Sequence, residues 1–202
     1  MQLIGCWSSG FTRRIGITLK LLDLPFDHLN VDVFKRPEDV RPYSPMLKIP
    51  ALVIDNGEVL LDSDSMVDYL HERVGPLRAL IAISGAERRQ ALRIVGIATT
   101  VYEKFRAVEQ EASRPEALQM ASVSDFYSAQ ALTGFEMLES AAKGRWLVGG
   151  ALSQADIMTV VAYQAVSNSP LLAEVNARRF PKLAALSRHA MLLPAFESTV
   201  PR

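Results

Sequence analysis

The hydrophobic positions of this chain follow one rhythm up to Gly75 and another from Ser84 onward. Gln2 to Trp7 is a short apolar run ending in Ser8-Ser9-Gly10, which predicts a strand and a turn. Phe11 to Leu22 carries Ile15, Leu19 and Leu22 on one stripe and predicts a helix. From Phe26 to Phe34 the apolar residues Phe26, Leu29, Val31 and Val33 fall as in a half-buried strand. A proline-rich connection follows, with Pro37, Pro42, Pro45 and Pro50. Ala51 to Ile54 and Glu58 to Leu61 then flank Asp55-Asn56-Gly57, and Asn-Gly between two apolar runs is a strong hairpin signal. Ser63 to Arg73 closes this half as a helix with Met66, Val67 and Leu70 inward. The order implies a small mixed sheet whose first two strands run parallel through a right-handed crossover.

From Ser84 the period is helical throughout. Stretches from Ala86 to about Ala112, Val123 to Ala142, Gln154 to Asn168 and Pro181 to Leu192 are separated by Gly, Pro and Ser clusters. The expected organisation is a mixed α/β domain over 1–75, a linker over 76–83 and an all-helical domain over 84–202.

Composition narrows the function classes. The chain has 202 residues with 22 Lys+Arg against 22 Asp+Glu, a formal net charge of zero, and 49% of residues are hydrophobic. A chain of this length can bury a substantial core. Nucleic acid and anionic membranes are not expected as partners, because both draw on a basic excess. The longest apolar stretches, Ala79 to Ile83 and Ile157 to Val166, fall short of the roughly 20 residues that span a bilayer. Met1-Gln2-Leu3-Ile4-Gly5 carries no basic leader and reads directly as a strand. The single Cys6 rules out an internal disulfide and fits a reducing compartment. With only His28, His71 and His189 beside it, no metal site is expected. A cytoplasmic protein is the expectation.

Three segments carry candidate chemistry. Ser8-Ser9-Gly10-Phe11-Thr12-Arg13-Arg14 lies at the strand-to-helix junction. A hydroxyl there stands beside free helix N–H groups and the positive end of the dipole, which favour an anion or a thiolate. On local sequence alone, the reading of choice is that Ser8 or Ser9 caps the helix. Arg13 and Arg14 oppose the dipole of a first turn and read as solvated surface residues. Lys48-Ile49-Pro50-Ala51-Leu52 places a proline just before a strand. In the cis form, found in about 5–6% of X–Pro bonds, it would turn the backbone of residue 49 toward a ligand. In the trans form it simply begins the strand. Finally, Asp62 and Ser63 head the last helix of the first half, where they suit capping and also the polar end of a small ligand.

The order and spacing of these segments, with the two-domain split, resemble the glutathione transferase superfamily over essentially the whole chain. The resemblance implies a thioredoxin-like N-terminal domain (βαβ-α-ββα) followed by an all-helical C-terminal domain. A fourth match is the helix-start signature Ser/Thr-x-x-Asp, here Ser153 and Asp156 in Gly149-Gly150-Ala151-Leu152-Ser153-Gln154-Ala155-Asp156-Ile157. Its physics is reciprocal capping of a helix start, and it is assigned to folding.

Site residues follow by resemblance. Ser9, two residues before Phe11, matches the thiol-activating serine of bacterial, tau and phi members. Ile49 with Pro50, beside Lys48, matches the residue that pairs with the cysteinyl backbone of glutathione. Asp62 with Ser63 matches the acidic residue or Gln followed by Ser that binds the γ-glutamyl group. The implied protein is a homodimeric detoxifying transferase with glutathione as co-substrate. Its small, mostly apolar electrophile would lie against Phe11, Tyr102, Phe105 and Arg106, with Glu109 nearby. Two positions depart from the family pattern: Gly10 replaces the usual proline, and Asp62 is one methylene shorter than the usual Glu or Gln. Ser8-Ser9-Gly10 also does not match the Ser-Ser-Cys of the superfamily's isomerases. A catalytically weak binding or regulatory protein on the same scaffold is a second reading. Thiol–disulfide exchange through Cys6 is a third.

Overall fold

The computed structural model describes residues 1–201. Contacts divide the chain into two units, one formed by Met1–Ile83 with the segment from Met191 onward, the other by Ser84–Ala190.

The first unit is built on four short strands: β1 (Gln2–Ile4), β2 (Asp27–Leu29), β3 (Ala51–Val53) and β4 (Val59–Leu60). Their order in the sheet is β2-β1-β3-β4. β1 and β2 are parallel with Leu3 opposite His28, whereas β3 runs antiparallel to both β1 and β4. Helix α1 (Gly10–Leu21) supplies the crossover between the parallel strands, α2 (Pro37–Val40) interrupts the proline-rich connection, and α3 (Ser63–Val74) closes the unit. This is the thioredoxin-like arrangement expected from the resemblance.

Strand alternation distributes the core. Leu3 and Leu52 point to one face, where they pack with Ile15, Leu19 and Leu22 from the α1 region and Met66, Val67 and Leu70 from α3. Ile4 and Ala51 point to the other face and meet Val31 and Val40. Helix α1 stops in a Schellman arrangement: Leu24 N–H bonds Leu19 C=O at 3.0 Å and Asp23 N–H bonds Lys20 C=O at 3.2 Å, with Asp23 at φ +50°. A last short helix, α8 (Pro194–Glu197), packs on α1.

The second unit holds α4 (Gly85–Ala112), α5 (Ala121–Ala141), α6 (Gln154–Ser167) and α7 (Pro181–Ala190). α4 packs against α5 and α6, and α6 against α7. α6 is buried continuously from Gln154 to Tyr163, the mark of a helix packed on all sides. Its start is held by the Asp156 carboxylate. One oxygen accepts from Leu147 N–H at 2.8 Å, the other from Ser153 N–H at 2.8 Å and Ser153 Oγ–H at 2.9 Å. Burial pushes the Asp156 carboxyl above its ordinary pKa, against the opposing pull of these hydrogen bonds. Among the described residues no helix is long and apolar enough to cross a membrane.

Candidate functional site

The three segments singled out in the sequence converge within the first unit. β1 ends at Ile4, and Gly5 then adopts φ +133°, a conformation that L side chains rarely take. A Cβ at this position would lie 2.5 Å from Thr12 Oγ1 and 3.1 Å from Ile49 Cβ, so glycine lets the first turn of α1 approach the residue before Pro50. The Ile49–Pro50 peptide is cis.

Ser9 is the N-cap of α1, with extended backbone and its Oγ accepting Thr12 N–H at 3.3 Å. It is half-buried, whereas Ser8 is exposed and turns toward Cys6, with Sγ and Oγ 3.0 Å apart. Of the two serines, Ser9 is therefore the one that stands at the head of the helix dipole.

Asp62 caps α3: its Oδ2 accepts Asp64 N–H at 2.9 Å and Ser65 N–H at 3.2 Å. Its Oδ1 faces Lys48 Nζ at 3.8 Å, with both side chains more than half exposed. Lys48 is held in turn by its N–H bond to Ser44 Oγ at 2.9 Å, just after Leu47 at φ +56°. A leucine in the left-handed region is uncommon, and strain of this kind concentrates at ligand-binding turns. Ser63, the first residue of α3, is buried and accepts an N–H from Arg14 Nη1 at 3.1 Å.

That last bond corrects the reading of Arg13 and Arg14 as solvated. They are only 4% and 2% exposed. Arg14 Nη1 lies 2.6 Å from Asp64 Oδ1 as well as bonding Ser63. Arg13 donates to Thr199 Oγ1 and to Phe196 C=O, both at 3.4 Å, and desolvation lowers its pKa to about 10. The cations oppose the helix dipole, but their side chains extend away from the turn to partners 49 to 186 residues distant in sequence. The local hint was the misplaced charge itself; nothing nearby in the sequence named the partners.

The remaining positions stand as follows. Phe11 is half-buried. Tyr102 and Phe105 on α4 are buried, at 3% and 2% exposure. Arg106 is half-exposed and paired with Glu109 at 2.5 Å. Among the described residues no group of His, Cys, Asp and Glu is arranged to hold a metal ion.

Two family models match the chain: the glutathione S-transferase N-terminal domain over residues 3–77 and the glutathione S-transferase C-terminal domain over residues 97–196. The chain is 26% identical to the GST-like protein YibF of Escherichia coli K12 over 119 residues, and this match spans 58% of that protein's length. It is 25% identical to the probable maleylacetoacetate isomerase 1 of Drosophila melanogaster over 214 residues, covering 98% of this chain and 80% of that protein. Among solved structures it is similar to a glutathione S-transferase from Methylobacillus flagellatus with GSH bound. The TM-score is 0.91 at 25% identity, with 100% of this chain and 99% of that one covered.

Proposed function

The chain belongs to the glutathione S-transferase superfamily, and from this we propose that it conjugates glutathione to a small, mostly apolar electrophile, with Ser9 stabilising the thiolate. The observation that carries this reading is the Ser9 hydroxyl at the head of α1, its oxygen occupied by Thr12 N–H and its hydrogen free. In the same reading Asp62 takes the γ-glutamyl ammonium, Ser63 the adjoining carboxylate, and Ile49 the cysteinyl backbone, with Lys48 beside them. Phe11 is the aromatic of the same unit proposed to face the electrophile. A cytoplasmic, serine-type homodimer completes the proposal.

The energetics are sufficient. A thiol with pKa of about 8.5 is only about 3% thiolate at pH 7, and lowering it by ~2 units raises this to about three quarters, for roughly 2.7 kcal/mol. One hydroxyl bond to a charged sulfur contributes about 1.5–3 kcal/mol, and a helix N-terminus adds up to about 1 kcal/mol. Ser9 acts as donor throughout. The thiolate sulfur forms the new bond to the electrophilic carbon, and the displaced or developing anion takes up a proton. Holding the two reactants together supplies much of the remaining acceleration.

Calorimetric titration with reduced glutathione, followed by an electrophile screen, tests the proposal. Binding in the micromolar to low-millimolar range with turnover that falls about 10-fold or more in Ser9→Ala supports it. Absence of binding at about 10 mM, equivalent to less than ~3 kcal/mol, removes it. The half-exposed Cys6 Sγ beside Ser8 Oγ favours one second reading, glutathione-dependent thiol–disulfide exchange. There Cys6→Ala, and not Ser9→Ala, is the damaging change.

A further inference from the structure

Arg14 is a costly residue for the place it occupies. It stands in the second turn of α1, and it is 2% exposed. Burying a guanidinium carries a heavy desolvation penalty before any partner is counted, and an apolar side chain of similar volume would fill the same space without it. Packing between α1 and α3 is already provided by Ile15, Leu19, Met66, Val67 and Leu70. The charge therefore calls for another explanation, and its partners supply one.

Nη1 of Arg14 reaches the start of α3, donating to Ser63 Oγ at 3.1 Å and to Asp64 Oδ1 at 2.6 Å. Asp64 is largely exposed, so it anchors the guanidinium from the solvent side without neutralising a deep pocket. The bond to Ser63 has a directional consequence. A hydroxyl that accepts from Arg14 must aim its own hydrogen elsewhere, away from the cation. The N–H groups of Asp64 and Ser65 are consumed by the Asp62 cap, and Met66 N–H by Asp62 C=O. The Ser63 N–H, in contrast, has no partner among the described residues. Ser63 thus offers an N–H and an oriented O–H from one residue, at a helix start, with a guanidinium directly behind. A carboxylate is the group this arrangement fits.

We propose that Arg14 is the positioning residue of the γ-glutamyl subsite: it fixes the Ser63 hydroxyl as a donor and lends positive charge to the place where the α-carboxylate of glutathione binds. This rests on the glutathione reading given above. Arg14 touches neither the ligand nor the reacting sulfur; it acts through Ser63.

The test is a double-mutant cycle read by calorimetry with reduced glutathione, using the full-length chain as wild type, Arg14→Lys, Ser63→Ala and the double variant. Lysine keeps the charge but is shorter and lacks the planar guanidinium, so its nitrogen no longer stands where Nη1 meets Ser63 Oγ. Arg14→Lys and Ser63→Ala are each expected to weaken binding by about tenfold, the loss of one charge-assisted hydrogen bond. The double variant should bind no worse than Ser63→Ala alone, because Arg14 has nothing left to position. Wild-type-like affinity of Arg14→Lys overturns the proposal. So does a double variant in which the two losses multiply, since that is the signature of a merely structural role. Should Arg14→Lys fail to fold, Asp64→Asn takes its place, releasing the guanidinium from an exposed position. A loss of several-fold at an unchanged melting temperature supports the proposal, and unchanged affinity overturns it. A wild-type protein that binds no glutathione at all removes the underlying transferase reading, and this outcome is seen before any variant is measured.

Discussion

Asp156 shows how much one buried carboxylate can organise. It collects the N–H of Leu147, the N–H of Ser153 and the Ser153 hydroxyl, joining the loop before α6 to the helix start. Burial nevertheless raises its pKa above the ordinary value of 3.8. The native state therefore binds more protons than the unfolded state between 3.8 and the raised value, and stability falls as pH rises through that window. Asp156→Asn removes this titration and also presents an NH2 group to N–H donors, costing about 1–3 kcal/mol for the donors left unsatisfied. Urea denaturation from pH 4 upward should show the stability gap between wild type and variant narrowing with pH and then levelling off. A gap that widens with pH would mean that the hydrogen bonds, not desolvation, govern this carboxyl. The Ser-x-x-Asp spacing was readable because its partners are three residues apart. Arg13 and Arg14 were not, because a cation without a nearby carboxylate in sequence defaults to solvent, and their acceptors lie on α3 and in the C-terminal segment.

At the scale of elements, the apolar stripes of α1 and α3 were legible because each helix buries one face against one sheet. Strand lengths were less so. The alternation from Phe26 continues to Phe34, yet β2 ends at Leu29 because its partner β1 ends at Ile4, where Gly5 turns the chain toward α1. A strand is only as long as its neighbour allows, and a one-dimensional pattern does not contain the neighbour. Asp62 presents the related difficulty of one side chain serving two purposes. Its Oδ2 caps α3 while Oδ1 remains available to a cation, at present Lys48. Asp62→Ala therefore confounds a lost ligand contact with a lost cap, the latter costing about 0.5–2 kcal/mol. Asparagine caps equally well and removes the charge. Asp62→Asn should keep the wild-type melting temperature within about 2 °C while weakening glutathione binding. Equal affinity of Asp62→Asn and wild type would mean that the carboxylate serves α3 alone.

Over the whole chain, the least legible feature is the return of the last residues to the first unit. The sequence reads as a mixed domain followed by helices to the end, whereas contacts group the segment from Met191 onward with Met1–Ile83. The reason lies in particular side chains. Phe196 and Thr199 are wholly buried, and Arg13 donates to the C=O of one and the hydroxyl of the other. Helix α1 is thereby held by successive arginines, Arg13 reaching the C-terminal segment and Arg14 reaching α3. Removing the chain from Pro194 onward would strip a buried phenylalanine, worth about 3–5 kcal/mol by analogy with Phe→Ala substitutions. It would also leave a desolvated guanidinium without these two acceptors, whose pKa burial already lowers to about 10. The expected result is a fall in melting temperature of about 10 °C or more, accompanied by weaker glutathione binding, because the helix that carries Ser9 and Arg14 loses one of its supports. Phe196→Ala, with the Arg13 acceptors kept, should reproduce most of the thermal loss and less of the binding loss. If truncation leaves both melting and binding unchanged, the C-terminal segment does not brace α1. The placement of Ser9 would then depend on the sheet and α3 alone.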